Sequence, residues 1–200
     1  MAKDQPKITP PTGKLGVLLP GLGAVATTFI AGVEAVRRGA GLPIGSLTQM
    51  GTIRLGKRTE SRMPLIREFA PLADLDDLVF GAWDPIPDDA LKSARVSGVL
   101  KESDLREVGD FLAEIKPMPA VFSRDYVKKL DGPNVKKGSK KELAEQLRED
   151  IRRFKDERKC DRLVMVWCAS TEVFLRQGPV HQSIEAFEKG LEDDDPGIAP

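Results

Sequence analysis

The stretch from Leu15 to Gly41 constrains this chain more than any other. Leu15-Gly16-Val17-Leu18-Leu19 is a short apolar run ending at turn residues, and it reads as a strand buried on both faces. Gly21-Leu22-Gly23-Ala24-Val25-Ala26 follows directly, a G-x-G-x-x-A. From Ala24 to Arg38, Val25, Phe29, Val33 and Val36 recur at helical spacing, with Arg37 and Arg38 where the helix dipole favours cations. Gly39 and Gly41 end that helix. Strand, glycine turn and helix in that order suit a diphosphate. Gly21 can adopt a tight turn, and Gly23 has no Cβ to block a pyrophosphate approaching the backbone. The free N–H groups opening the helix would attract the phosphates, and the small Ala26 lets helix and strand pack closely.

A G-x-G-x-x-A on its own is a weak signal, but its place between strand and helix makes dinucleotide binding the leading reading, with a purely structural turn as the alternative. No Gly-Lys-Ser/Thr follows, which excludes a P-loop. An acidic ribose ligand is usual ~20 residues beyond the glycines, yet no Asp or Glu occurs between Glu34 and Glu60. Another strand must then supply that carboxylate, or the adenosine end is held differently. Arg54, Lys57 and Arg58 leave open a 2′-phosphate and hence NADP, against the reading of a solvated basic loop.

Two more apolar runs extend the pattern. Leu78-Val79-Phe80-Gly81-Ala82-Trp83 reads as a second strand, stopped by Asp84-Pro85 and Pro87, and Leu163 to Cys168 as a third. Leu105, Val108, Leu112 and Ile115 mark a helix starting near Asp104. Ser139 and Glu142 form a capping box, after which Leu143, Leu147, Ile151 and Phe154 line one face of a helix to about Arg158. Ile184, Phe187 and Leu191 suggest a last short helix. Pro117 and Pro119 keep the segment from Ile115 to Phe122 out of the centre of any sheet. Residues 42 to 72 show no sustained period, as in functional or disordered segments. The alternation predicts an α/β fold, a Rossmann-like parallel sheet with helices on both faces. It also reads as incomplete, because Asp194 to Pro200 supplies no closing strand.

Charge and thiols narrow the classes further. The 200 residues carry 31 basic and 31 acidic side chains, and zero net charge argues against nucleic acid as the main partner. One His, and two Cys eight positions apart (Cys160, Cys168), fit neither a metal site, a histidine triad nor a disulfide framework. Leu15 to Val33 is uncharged and long enough to cross a bilayer, but Pro20 and Gly16, Gly21, Gly23 and Gly32 break it, so no membrane span is expected. Residues 1–14, with Lys3, Asp4, Lys7 and three prolines, read as a flexible lead-in and not as a signal peptide. A cytoplasmic protein with reduced thiols is expected.

Among other candidates, Asp84 directly follows a strand and would face the ligand crevice at its carboxyl end, or else serve as a turn residue before Pro85. Cys168-Ala169-Ser170-Thr171-Glu172 leaves the third strand in the same way, with helix capping as the alternative for Ser170 and Thr171. His181 reads as a loop or capping residue. The Lys and Arg between Lys128 and Lys159 alternate with acids and read as a solvated helix face, and Asp193 to Asp195 as a surface cluster.

Several of these segments together resemble a known family. Gly16 to Thr28, Gly45-Ser46-Leu47-Thr48-Gln49, Gly81-Ala82-Trp83-Asp84, Lys116-Pro117-Met118-Pro119 and Val166 to Glu172 resemble inositol-3-phosphate synthase, in its bacterial branch. The resemblance covers nearly the whole chain but only the N-terminal part of that family, so residues 15–200 are expected to be part of its NAD-binding domain. It implies NAD as cofactor, a sugar phosphate as substrate, and isomerisation of D-glucose 6-phosphate to 1D-myo-inositol 3-phosphate. By motif, Gly21, Leu22, Gly23, Ala24 and Val25 would hold the pyrophosphate and Asp84 the adenosine ribose, which answers the missing acid. Ala120 and Val121 would flank the adenine. Cys168, Ala169, Ser170 and Thr171 would lie beside the ribose and nicotinamide. The family's catalytic lysines and its tetramer-forming region fall beyond residue 200, so no catalytic or metal-binding residue is assigned. The isolated chain is expected to be inactive, not to form the homotetramer, and to bind NAD weakly or not at all. An ordinary NAD(P)-dependent oxidoreductase and a non-catalytic nucleotide-binding remnant are the alternatives.

Overall fold

A computed structural model describes residues 12–199. Three parallel strands make its sheet: β1 (Lys14–Pro20), β2 (Leu78–Trp83) and β3 (Cys160–Met165), in the order β2-β1-β3. Val17 faces Phe80 on one side and Val164 on the other. The helices are α1 (Ala24–Arg37), α2 (Leu47–Met50), α3 (Ile66–Phe69), α4 (Ala90–Ser97), α5 (Glu102–Glu114), α6 (Lys140–Arg158) and α7 (Ile184–Glu192). Alternate residues of a strand point to opposite faces, and the core divides accordingly. Val17, Leu19, Phe80 and Ala82 pack beneath α1, α4 and α5. Leu18, Trp83 and Cys160 pack on the other face against Phe154 of α6. The expected parallel sheet with helices on both faces is therefore present.

Several boundaries differ from expectation. The lead-in was expected to run to Lys14, yet Lys14 already pairs in β1, and residues 1–11 lie outside the described residues. β3 begins at Cys160 and not at Leu163, because the charged pair Asp161-Arg162 sits exposed at its start. Backbone bonding to β1 still continues to Cys168, whose N–H donates to the Pro20 carbonyl at 2.9 Å. Helix α4 was not anticipated, since it buries only Ala90 and Ala94 and shows no stripe of large apolar residues. In α1 the buried positions are Ala26, Thr27, Ile30, Ala31, Val33 and Glu34, whereas Val25 is 64% and Phe29 40% exposed. Ala26 and Ala31 let α1 lie close to the sheet, with Ile30 and Val33 filling the core and Val25 and Phe29 turned toward its outer side. Residues 42–72 fold back on themselves, with antiparallel bridges Thr52–Leu65 and Leu55–Arg62. The acidic cluster is more than surface: Asp194 accepts the Lys140 N–H at the start of α6 at 2.7 Å.

Candidate functional site

The strands are parallel, so their carboxyl ends share one edge, and the chain after each of them converges there. β1 has β2 on one side and β3 on the other, which makes the gap above it a topological switch point, where open α/β sheets place ligands. The turn after β1 is pinned from both neighbours. Gly21 N–H donates to the Trp83 carbonyl at 2.8 Å, and the 168–169 backbone closes in from β3. Gly21 has φ +89°, and a Cβ there would lie 2.6 Å from Ala169 Cα, so no other residue fits without a shift.

Asp84 completes the pinning. Its Oδ2 accepts the Leu22 N–H at 2.7 Å and its Oδ1 accepts the Ile86 N–H at 2.9 Å. Asp84 is therefore a turn residue that also lines the cavity, and each of its oxygens retains a free lone pair. Gly21 and Leu22 form part of the cavity wall, but their N–H groups are committed to Trp83 and Asp84. The donors left over lie one residue further on. Among the described residues, the N–H groups of Gly23, Ala24 and Val25 meet no acceptor, and a Cβ on Gly23 would meet nothing within 4 Å. An open start of a fourteen-residue helix, with its dipole, favours an anion.

These elements enclose a cavity of about 390 Å³. Gly21, Leu22, Gly23, Asp84, Ala120, Val121, Cys168, Ala169 and Ser170 all line it. Ala24 and Val25 sit beside it in the first turn of α1, while Thr171 faces a second cavity shared with Tyr126 to Leu130. No helix starts at Ser170 or Thr171, so the capping alternative for them lapses. Much of the main cavity's lining is apolar, including Ile86, Val96, Phe122, Leu147 and Ile151. Its charged lining is acidic (Asp84, Asp88, Glu172), and among the described residues no Lys, Arg or His lines it. Burial pushes the Cys168 thiol above the ordinary cysteine range, so it is a neutral wall. Arg54, Lys57 and Arg58 are exposed on the 42–72 excursion and do not line the cavity. His181 accepts the Gly178 N–H on Nδ1 at 3.0 Å, as a capping residue does.

The sequence reading missed the support behind this cavity. Asn134 donates through Nδ2 to the Asp84 carbonyl at 2.8 Å and its own carbonyl accepts the Ala120 N–H at 2.9 Å. Gly132 permits this, because a Cβ there would fall 2.0 Å from the Pro85 carbonyl oxygen. Lys136, expected in solvent, is buried against Asp150 of α6, with Nζ 2.8 Å from Oδ2. The only local signal was the Gly132-Pro133-Asn134 turn ahead of the helix.

A switch-point cavity, unengaged helix-opening amides and a carboxylate beside them define a dinucleotide-binding domain of the Rossmann type. The family model for the NAD-binding domain described as myo-inositol-1-phosphate synthase matches residues 15–200. Inositol-3-phosphate synthase 1 of Bacteroides thetaiotaomicron is 48% identical over 189 residues, covering 94% of this chain and 43% of the relative. The protein of that name from Oryza sativa subsp. japonica is 33% identical, covering 97% of this chain and 41% of its own. The crystal structure of inositol-3-phosphate synthase from Caenorhabditis elegans superimposes with a TM-score of 0.83 at 22% identity, over 94% of this chain and 40% of that one. The chain belongs to the myo-inositol-1-phosphate synthase family. It spans about two-fifths of the length of the curated relatives it matches.

Proposed function

We propose that this chain forms the nucleotide-binding part of an inositol-3-phosphate synthase, with NAD in the cavity at the switch point and a sugar phosphate, D-glucose 6-phosphate, as the substrate isomerised to 1D-myo-inositol 3-phosphate. NAD supplies reversible hydride transfer to and from the sugar. The observation that carries the reading is the cavity's division of labour. Its donors to an anion are backbone amides, and its charged side chains are acceptors for hydroxyl groups. A dinucleotide offers both counterparts, a diphosphate and ribose hydroxyls.

In this arrangement the Gly23, Ala24 and Val25 amides hold the diphosphate, while Gly21 and Leu22 shape the turn that presents them. Asp84 accepts the hydroxyls of the adenosine ribose on its remaining lone pairs. Ala120 and Val121 flank the adenine against the apolar wall, which excludes water. Cys168, Ala169 and Ser170 form the floor toward the second ribose and nicotinamide, with Thr171 at its margin. No described lysine lines the cavity, so the cationic stabilisation that enolisation and aldol closure need is not supplied here. The 200-residue chain is accordingly expected to make no inositol phosphate from glucose 6-phosphate. The substrate and the reaction rest on the family alone. Two free thiols suit a reducing compartment, and we assign the protein to the cytoplasm.

Titration of the ¹⁵N-labelled chain with NAD, followed by amide chemical shifts, tests the site even where affinity is weak. Saturable shifts at Gly23, Ala24 and Val25 are expected. Shifts confined to other surfaces, or none at millimolar NAD, would overturn the assignment.

A further inference from the structure

Beside the cavity, where α6 packs on the sheet, lies a buried charge cluster that the cofactor reading does not use. The Asp150 side chain is 3% exposed and that of Lys136 is 9% exposed. Asp150 Oδ2 accepts from Lys136 Nζ at 2.8 Å and from the Trp83 indole Nε1 at 2.9 Å, and Oδ1 faces Arg153 at 2.5 Å. Replacing a buried ion pair by apolar side chains of similar volume is often neutral or stabilising, so cohesion alone gives this pair little purpose. Its position gives it one. Trp83 is the last residue of β2, its carbonyl holds Gly21, and the next residue holds Leu22.

We propose that Asp150 and Lys136 are positioning residues for the nucleotide site. They clamp the Trp83 indole and, through the Trp83 backbone, hold the glycine turn in the form that presents its free amides.

The indole N–H is buried and needs an acceptor; without one, Trp83 would have to move to find a partner. A shift of the Trp83 backbone toward a new partner displaces both its carbonyl and Asp84. Lys136 keeps the acceptor charged. Burial pushes the Asp150 carboxyl up, but the hydrogen bonds from Lys136 and Trp83 and the charges of Lys136 and Arg153 outweigh it and hold it below the usual range. Lys136 also belongs to the segment that braces the adenosine side. Its N–H donates to the Ala120 carbonyl at 2.8 Å, two residues after Asn134 reaches the Asp84 carbonyl. One strap thus grips the site at two points.

The NAD arm of the test rests on the proposed function, whereas the exchange arm does not. Two double variants of the full chain separate clamp from cohesion. K136M/D150L removes the charges and the indole's acceptor, while K136M/D150N removes the charges but keeps an oxygen for the indole. Hydrogen exchange at Gly21 and Leu22, measured against Val17 in the middle of β1, is expected to rise at least tenfold in the Leu variant. In the Asn variant it should stay within threefold of the parent. The NAD concentration for half-maximal shifts at Ala24 is expected to follow the same order. Trp83→Phe, which removes the N–H together with part of the ring and leaves both charges in place, should reproduce the Leu variant and serves if that variant does not fold. Parental protection of both amides in the Leu variant or in Trp83→Phe overturns the proposal, as does equal loss in the Leu and Asn variants. If the parent shows no NAD response, the cavity assignment falls and the exchange data still decide the clamp.

Discussion

Replacing the two turn glycines one at a time separates a glycine needed by the fold from one needed by the ligand. In Gly21→Ala the new Cβ would lie 2.6 Å from Ala169 Cα, 2.7 Å from Ala169 N and 2.8 Å from the Cys168 carbonyl oxygen. All three are backbone atoms, so relief requires the segment after β3 to move, an overpacking cost of about 1–3 kcal/mol. The φ of +89° adds strain of about 1–2 kcal/mol for a residue with a Cβ. The combined loss of about 2–5 kcal/mol, at a urea dependence near 2 kcal/mol per M, lowers the unfolding midpoint by roughly 1–2.5 M. In Gly23→Ala the backbone is extended, with φ −87°, and the Cβ meets nothing within 4 Å. Its midpoint should hold or rise slightly, by about 0.4–1 kcal/mol of stability. That methyl group does stand before the free amides, so NAD-induced shifts at Ala24 and Val25 should fall away. Urea unfolding by circular dichroism and the NAD titration read the two effects separately. A Gly21→Ala midpoint within about 0.3 M of the parent, or a Gly23→Ala variant less stable than Gly21→Ala, would refute the reasoning.

Arg37→Met should cost about 2–4 kcal/mol, because Arg37 donates to the Leu75 carbonyl at 2.8 Å and the Leu78 carbonyl at 2.6 Å and pairs with the buried Glu34. Calorimetry should then show Tm lower by roughly 5–12 °C. Stability should also depend on Asp150 in acid. Its folded pKa lies below the unfolded value of about 3.9, so the unfolded chain takes up the proton first and acid favours unfolding. The urea midpoint of the parent should therefore fall more steeply below about pH 4 than that of K136M/D150N; parallel profiles would contradict this. NADP should need roughly tenfold more ligand than NAD for half-maximal shifts, since acidic side chains and no described Lys, Arg or His line the cavity. Equal titrations would show that the 2′ position points away from them.

What the sequence made legible and what it hid follow from the range of the interactions involved. β1 and β2 were readable because a strand buried on both faces must be apolar throughout, and the turn because only glycine tolerates φ +89° against a neighbouring backbone. Asp84 was readable as the residue that ends β2. Helix α4 was not, since Ala90 and Ala94 bury too little to stand out from their surroundings. In α1 the apolar spacing was present but only partly marked the buried side: Val33 packs in the core, whereas close packing selected Ala26 and Ala31 for the sheet and left Val25 outside. Lys136 and Asp150 lie fourteen positions apart in a segment of alternating charge, where the ordinary reading is solvent. Only the packing of α6 against the sheet reveals that one pair is enclosed.

The free edge of β3 leads to a last expectation. β2 is covered at its outer edge where the Met118 N–H donates to the Ala82 carbonyl at 2.8 Å, whereas β3 has β1 as its only strand partner among the described residues. Val166 and Cys168 send their N–H groups inward to β1, so those of the alternating residues point outward. The run Leu163-Val164-Met165-Val166-Trp167-Cys168 carries no charge, and Trp167 is 64% exposed. An uncharged apolar edge with unpaired backbone groups is a template for another strand. The 200-residue chain should therefore associate with rising concentration in sedimentation velocity. Val164→Lys with Val166→Lys should suppress that association, because a charged edge resists pairing. Neither residue lines the cavity, so NAD-induced shifts at Gly23 should survive in the double variant. A parent that stays monomeric throughout, or a lysine variant that associates equally, would mean that the outward amides are satisfied by solvent and the edge does not recruit a partner.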